Sequence, residues 1–254
     1  MGRHLAALNL SDLAAAGSRP VSVLANLSFP SNWLVSSAVS VLEGFLTECS
    51  AWEADLVGGD LSESSEPQLV ATAIGVLDGP MFRRSAAEPG DLVFASRNPA
   101  VAAAALLAFR KGLADGDLLS QQDRAELAAA LAEPRPDFSA ATQLRGAGRV
   151  AVLDNTDGLG MSLLEVARSS QVDLVLELDS LPIPEVVKRV AELLELDPRE
   201  VAVGAGYDFS LVGTCQELPE GFLGLGRAVA GPGIVRVEDT DGIDIRIDGW
   251  NYWR

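Results

Sequence analysis

Three apolar runs in this chain end on carboxylates. Leu56-Val57-Gly58-Gly59-Asp60 passes through two glycines to one aspartate, and Leu8-Asn9-Leu10-Ser11-Asp12 ends on a hydroxyl and an aspartate. The third, from Val150 to Leu159, carries Asp154, Asn155, Thr156, Asp157 and Gly158. Glycine lets the backbone approach a bulky ligand and tolerates positive φ. A carboxylate just past a strand end is well placed to hold a hard cation such as Mg2+, which takes oxygen ligands. An ordinary turn uses the same Gly-Gly-Asp residues, so one such segment says little. Three of them point to a shared cleft.

The elements that must position these segments can be read from periodicity. Residues 3–16 suit an Ala/Leu-rich helix that stops at Gly17, with Pro20 just beyond. Residues 21–27 alternate as a strand. Leu34, Ala38, Val41, Leu42, Phe45 and Leu46 mark the core face of a helix over 33–52. Leu56-Val57 is expected as a short strand entering a Gly-Gly-Asp turn, with polar loop over 62–67 and a strand over 69–77. A boundary falls near residues 79–84, dividing the chain into domains 1–83 and 84–254. Beyond it the pattern predicts strands at 92–95, 150–153, 172–178, 201–203 and 209–214, and helices at 100–112, 121–132, 158–170 and 184–196. A terminal hairpin pairs 234–237 with 243–247. Helices and strands mix without a regular βαβ repeat, which is an α+β pattern.

Composition narrows the partners. The 254 residues are 48% hydrophobic and carry a formal net charge of -17. Mean hydropathy is +0.21 and the pI is about 4.3. So acidic a surface argues against nucleic acid or an anionic membrane as partner. It leaves nucleotides open, because Mg2+ can carry phosphate to carboxylates. Cys49 and Cys215 form neither a metal spacing nor a disulfide framework and read as buried, reduced thiols of a cytoplasmic protein. No apolar run reaches the roughly 18 residues of a membrane span. His4, the single histidine, reads as a helix-surface residue, which argues against histidine-dependent nucleophilic catalysis.

Taken together the segments resemble the thiamine-monophosphate kinases of the aminoimidazole-ribonucleotide synthetase superfamily. Residues 9–17, Asn-Leu-Ser-Asp-Leu-Ala-Ala-Ala-Gly, look like that family's Asn-Leu-Ser-Asp-(Ile/Leu)-Ala-Ala-Met-Gly. Gly58-Gly59-Asp60 matches Gly-Gly-Asp-Thr, and residues 84–91 match Arg-Ser-Gly-Ala-x-Pro-Gly-Asp. Residues 154–159 match Asp-(Ile/Leu)-Ser-Asp-Gly-Leu. The resemblance implies a two-domain α+β fold whose N-terminal domains pair in a homodimer. It implies ATP as substrate, with its phosphates on Mg2+, and transfer of the γ-phosphoryl group to thiamine phosphate. By motif, Asp12, Asp60, Asp154 and Asp157 would hold Mg2+, and Gly59, Asp60, Arg84 and Thr156 would meet ATP. Thr156-Asp157 also suits a helix N-cap ahead of Leu159.

The departures are specific. The family carries about 60 residues ahead of the Asn-Leu-Ser-Asp motif, so the N-terminal domain is expected to be incomplete, and each site must be argued residue by residue. Gly-Gly-Glu-Asp-Tyr-Glu-Leu becomes residues 203–209, with Ala205 in place of an acidic residue. The Thr-Gly loop becomes Ser96-Arg97, and Pro-x-Pro-Arg becomes Pro134-Arg135-Pro136-Asp137. Near the terminus Trp250 offers a face to a substrate ring, with a core or lid tryptophan as the alternative. Three functions stay open: the kinase, a sibling ATP-dependent enzyme with another small substrate, and a non-catalytic or partner-dependent ATP-binding module. Lost acceptor contacts predict little or no thiamine-phosphate turnover from this chain alone.

Overall fold

The computed structural model describes residues 1–114, 116–204 and 206–238. Ala205, Trp250 and the second strand of the expected terminal hairpin lie outside them. The N-terminal part is α1 (Gly2–Ala15), β1 (Arg19–Phe29), α2 (Val35–Ala51), β2 (Asp55–Glu63) and β3 (Gln68–Val76). The remainder is β4 (Leu92–Ala95), α3 (Ala100–Arg110), α4 (Gln121–Ala132), α5 (Phe138–Leu144), β5 (Val150–Asp154) and α6 (Leu159–Ser170). It continues with β6 (Val172–Leu176), a 3-10 turn (Leu178–Ser180), α7 (Glu185–Leu194), α8 (Pro198–Val203), β7 (Leu211–Cys215), β8 (Leu223–Ala230) and β9 (Val235–Val237). The fold is α+β.

Two sheets organise these elements. One has the order β2-β1-β3, with β1 parallel to β2 and antiparallel to β3. The other has the order β5-β7-β4-β8-β6-β9. Helix α1 joins them. Leu5, Ala6 and Leu10 pack with Val23, Leu27 and Phe45 of the first layer. Ala14 and Ala15 pack with Phe94, Leu144 and Val152 of the second. Small residues let α1 lie this close: a Cβ on Gly2 would stand 1.8 Å from the Val41 carbonyl oxygen of α2. Burying a leucine such as Leu10 or Leu27 contributes about 1.5–3 kcal/mol. In the larger sheet alternate residues serve opposite cores. Val93, Ala95 and Ala151 face α6, whereas Phe94, Val150 and Val152 face α1 and α5.

Several expectations are corrected. Gly58-Gly59-Asp60 is not a turn past a strand end, because β2 runs straight through it to Glu63. Gly59 is needed for close strand approach: its φ is +155°, and a Cβ there would meet the Ala25 carbonyl oxygen at 1.9 Å. Residues 201–203 are helix, not strand. Asp197 accepts from the Arg199 amide at the cap and Pro198 starts the helix, which overrides the β-branched valines. Strand β8 was hidden by Gly224 and Gly226, which break its apolar alternation, and α5 by its length of seven residues. His4 is half-buried rather than simply on the helix surface. Its Nε2 lies 2.7 Å from the Leu131 carbonyl oxygen, and its ring meets Tyr207 edge-on.

Candidate functional site

Strand β5 has a side-chain period of two, so Asp154 continues the face of Val150 and Val152 and points toward α1. There it meets Asp12. The two carboxylates line a cavity of about 340 Å³ together with Ala15, Ala16, Phe82, Arg83 and Arg84. Asp12, Ala15 and Ala16 are spaced three and four apart, on one face of the C-terminal half of α1. The arginines come from the connection between β3 and β4. This connection is tied down on either side of Arg83: Phe82 N–H donates to the Ala16 carbonyl, and Ser170 Oγ donates to the Arg84 carbonyl at 3.0 Å. Beyond it, Asp91 is 2% exposed and pairs with Arg149 at 2.7 Å, so the aspartate of the Pro-Gly-Asp segment is structural.

Electrostatics single out Asp154. It is 7% exposed. Burial first, and the Asp12 carboxylate second, push its pKa up to about 6. Asp12 is raised by burial, with Arg84 opposing. Asp157 is exposed and does not line the cavity, yet desolvation by surrounding protein and the Glu165 carboxylate raise its pKa too. The Ser11 hydroxyl is near enough to Asp154 to favour its charge, yet it is fully buried and makes no well-formed hydrogen bond. A buried carboxylate such as Asp154, next to the more exposed Asp12, is unfavourable as an anion unless a cation or proton joins it. Such a donor set suits a hard cation. Among the described residues, however, no three acidic, histidine or cysteine side chains converge at ligand spacing.

Asp60 stands elsewhere. It pairs with Asn26, which pairs with Val70 across β1. These residues share the outer face of the small sheet, opposite the face of Val23, Ala25 and Leu27 that packs on the helices. Gly59, within β2, likewise does not line the cavity. Neither Thr156 nor Asp157 caps α6. Gly158 takes that position at φ +100° and no side chain caps the helix. Sequence reasoning singled out the Ser11 hydroxyl but missed Arg83, whose only signal is adjacency to Arg84. It also missed the role of Asn155. That residue is 1% exposed and its Oδ1 has no hydrogen-bond partner, an arrangement that costs about 1–3 kcal/mol.

This fold and site define the class. Residues 1–77 match the AIR synthase related protein, N-terminal domain. The thiamine-monophosphate kinase of Synechococcus elongatus is 34% identical over 84% of this chain and 64% of its own length. That of Pyrococcus abyssi is 26% identical over 99% of this chain and 78% of its own. In three dimensions the thiamine-monophosphate kinase of Stenotrophomonas maltophilia aligns at 30% identity and a TM-score of 0.79, over 93% of this chain and 78% of that one. AaThiL complexed with AMPPCP and TMP shares the fold at a TM-score of 0.85 and 24% identity, over 99% of this chain and 80% of that one. The chain belongs to the thiamine-monophosphate kinase family. It spans between 60% and 81% of the length of these and similar relatives.

Proposed function

We propose that this chain is an ATP- and Mg2+-dependent phosphotransferase that converts ATP and thiamine phosphate to ADP and thiamine diphosphate. The observation that carries the reading is the buried Asp154 facing Asp12 in a cavity shared with Arg84. Phosphoryl transfer asks a protein mainly for positioning and charge neutralisation. Asp12, Asp154 and Asp157 would hold Mg2+, which when bound supplies positive charge to the phosphates. Arg84 and Arg83 would donate to phosphate oxygens from the opposite wall, and Gly59 and Thr156 are further proposed contacts to ATP. Trp250 is the proposed stacking partner of the acceptor ring.

In this reading residues 1–83 and 84–254 are two domains, and the first pairs with a second copy to give a homodimer. Exposed apolar residues on the small sheet, Val70 at 56% and Ile74 at 48%, support pairing, since they lie on the face that carries Asp60. That face would bring Asp60, the fourth proposed metal ligand, to the interface. No helix among the described residues is long and apolar enough to cross a membrane. The free, buried thiols of Cys49 and Cys215, pushed up to about 11 and about 12 by burial, suit the reducing cytoplasm.

A second reading, a sibling enzyme with another acceptor, is favoured by Arg97. This residue replaces a family glycine and donates to the Asp208 carbonyl at 2.6 Å. Titration calorimetry with a non-hydrolysable ATP analogue, with and without Mg2+, tests the shared part of both readings. Equal affinity in EDTA would remove the metal. ADP release that depends on thiamine phosphate then separates the kinase from its sibling.

A further inference from the structure

We propose that Asn155 is a positioning residue: by clamping onto Asp208 it sets where Asp154 and Asp157 stand relative to Asp12. The inference rests on the phosphotransfer reading above. Asn155 follows the last residue of β5, and its side chain lies on the parity opposite to Asp154. Its Nδ2 donates to Asp208 Oδ1 at 2.9 Å. Its backbone N–H donates to the Ser210 carbonyl at 2.8 Å, and its carbonyl accepts from the Asp208 N–H at 3.2 Å. One residue between two proposed metal ligands is thus tied three times to a single segment.

That segment is itself held firmly. Asp208 Oδ1 also accepts from the Ser210 N–H at 3.1 Å and from Ser210 Oγ at 2.7 Å. Arg97 Nη2 donates to the Asp208 carbonyl at 2.6 Å and to the Arg135 carbonyl at 2.8 Å. Between Asp208 and Ser210, Phe209 is buried at φ +58°, a conformation that non-glycine residues avoid.

Stability does not explain the amide. Asn155 Oδ1 is buried without a partner, and a leucine of similar size would bury no unsatisfied oxygen. What only the amide supplies is a directional bond that holds the exit of β5 against β7. Slack there would move Asp154 and Asp157 together, and misplacement by about 1 Å can cost on the order of a hundredfold in rate.

The test measures the apo melting temperature and the affinity for a non-hydrolysable ATP analogue, with Mg2+ and in EDTA. Asn155→Leu is expected to melt at or above the parent and to bind the Mg2+–analogue complex roughly tenfold more weakly, with little change in EDTA. Asp208→Leu should weaken binding at least as much but melt below the parent, because it also leaves the buried Ser210 N–H and Oγ without their acceptor. Asp208→Asn, which keeps an acceptor oxygen, should stay within about twofold. The double variant Asn155→Leu/Asp208→Leu should bind no more weakly than Asp208→Leu alone, because that substitution already removes the bond from Asn155. Parent-like affinity in Asn155→Leu, or additive losses, would overturn the clamp alone. An Asn155→Leu protein that fails to fold would overturn it too, since the amide would then hold the fold. A parent chain that does not bind the Mg2+–analogue complex would remove the underlying reading as well.

Discussion

Strands β6 and β7 are buried at every position and β5 at four of five, whereas β2 is exposed at eight of its nine and β3 at every second residue. The six-stranded sheet is covered on both faces, by α6 on one and by α1 with α5 on the other. The three-stranded sheet is covered by helices on one face only. An aspartate at the end of a strand in the first sheet is therefore desolvated, as Asp154 is. An aspartate on the open face of the second stays in water, as Asp60 does. Two carboxylates that look equivalent in sequence thus have different physical chemistry.

The sharpest way to break this comparison uses one substitution in each sheet. A Cβ at Gly213 of β7 would stand 1.8 Å from the Ala151 carbonyl oxygen, much as one at Gly59 would crowd Ala25. Strand β7 lies between β5 and β4 with no room to move, but β2 is an edge strand. Gly213→Ala is expected to cost more than about 4 kcal/mol or to prevent folding, and Gly59→Ala about 1–3 kcal/mol. Equal losses in denaturant titrations would show that covering both faces adds no constraint.

A smaller effect is expected from Asp154→Asn in the apo protein. The folded pKa of Asp154 is about 6, above its ordinary 3.8. A raised carboxylate pKa favours folding below the unfolded value and loses that benefit as pH rises through the folded one. The parent should therefore lose stability relative to Asp154→Asn between about pH 4 and pH 6. The gap at pH 8 should reach up to about 3 kcal/mol. Parallel pH–stability curves would refute the burial of Asp154 beside Asp12. The same variant should lose Mg2+-dependent nucleotide binding.

The smallest expected effect on folding is that of Asp60→Asn. On an exposed face it should change apo stability by no more than about 0.5 kcal/mol. Its nucleotide affinity should fall by more than that if Asp60 joins the metal in the assembled protein. A large loss of apo stability would mark Asp60 as structural instead.

Much of this fold was legible in residue order. The helices carrying Asp12 and Phe45, the strand ending at Asp154 and the stop at Gly17 follow from periodicity and glycine placement, which act through neighbouring residues. The elements that were missed fail for a different reason. Strand β8 contains Gly226 at φ +141° where the Val175 carbonyl approaches it, a constraint imposed by β6, which lies far earlier in the chain. The valines of α8 yield to capping by Asp197. The break expected at Gly58-Gly59-Asp60 is absent because β1 pairs with β2 through those residues.

The site divides in the same way. The types and order of Asp12, Asp60, Arg84, Asp154 and Asp157 are properties of the sequence alone, and so is the oxygen-rich chemistry they can offer. Which of them meet was decided only by the tertiary structure. Strand parity turns Asp154 toward α1, register turns Asp60 to the opposite side of another sheet, and Asn155 finds Asp208 at the entrance of the neighbouring strand β7. Carboxylates within one motif lie a fixed number of bonds apart, but their distance through space, and the water left between them, depend on how the sheets and α1 pack.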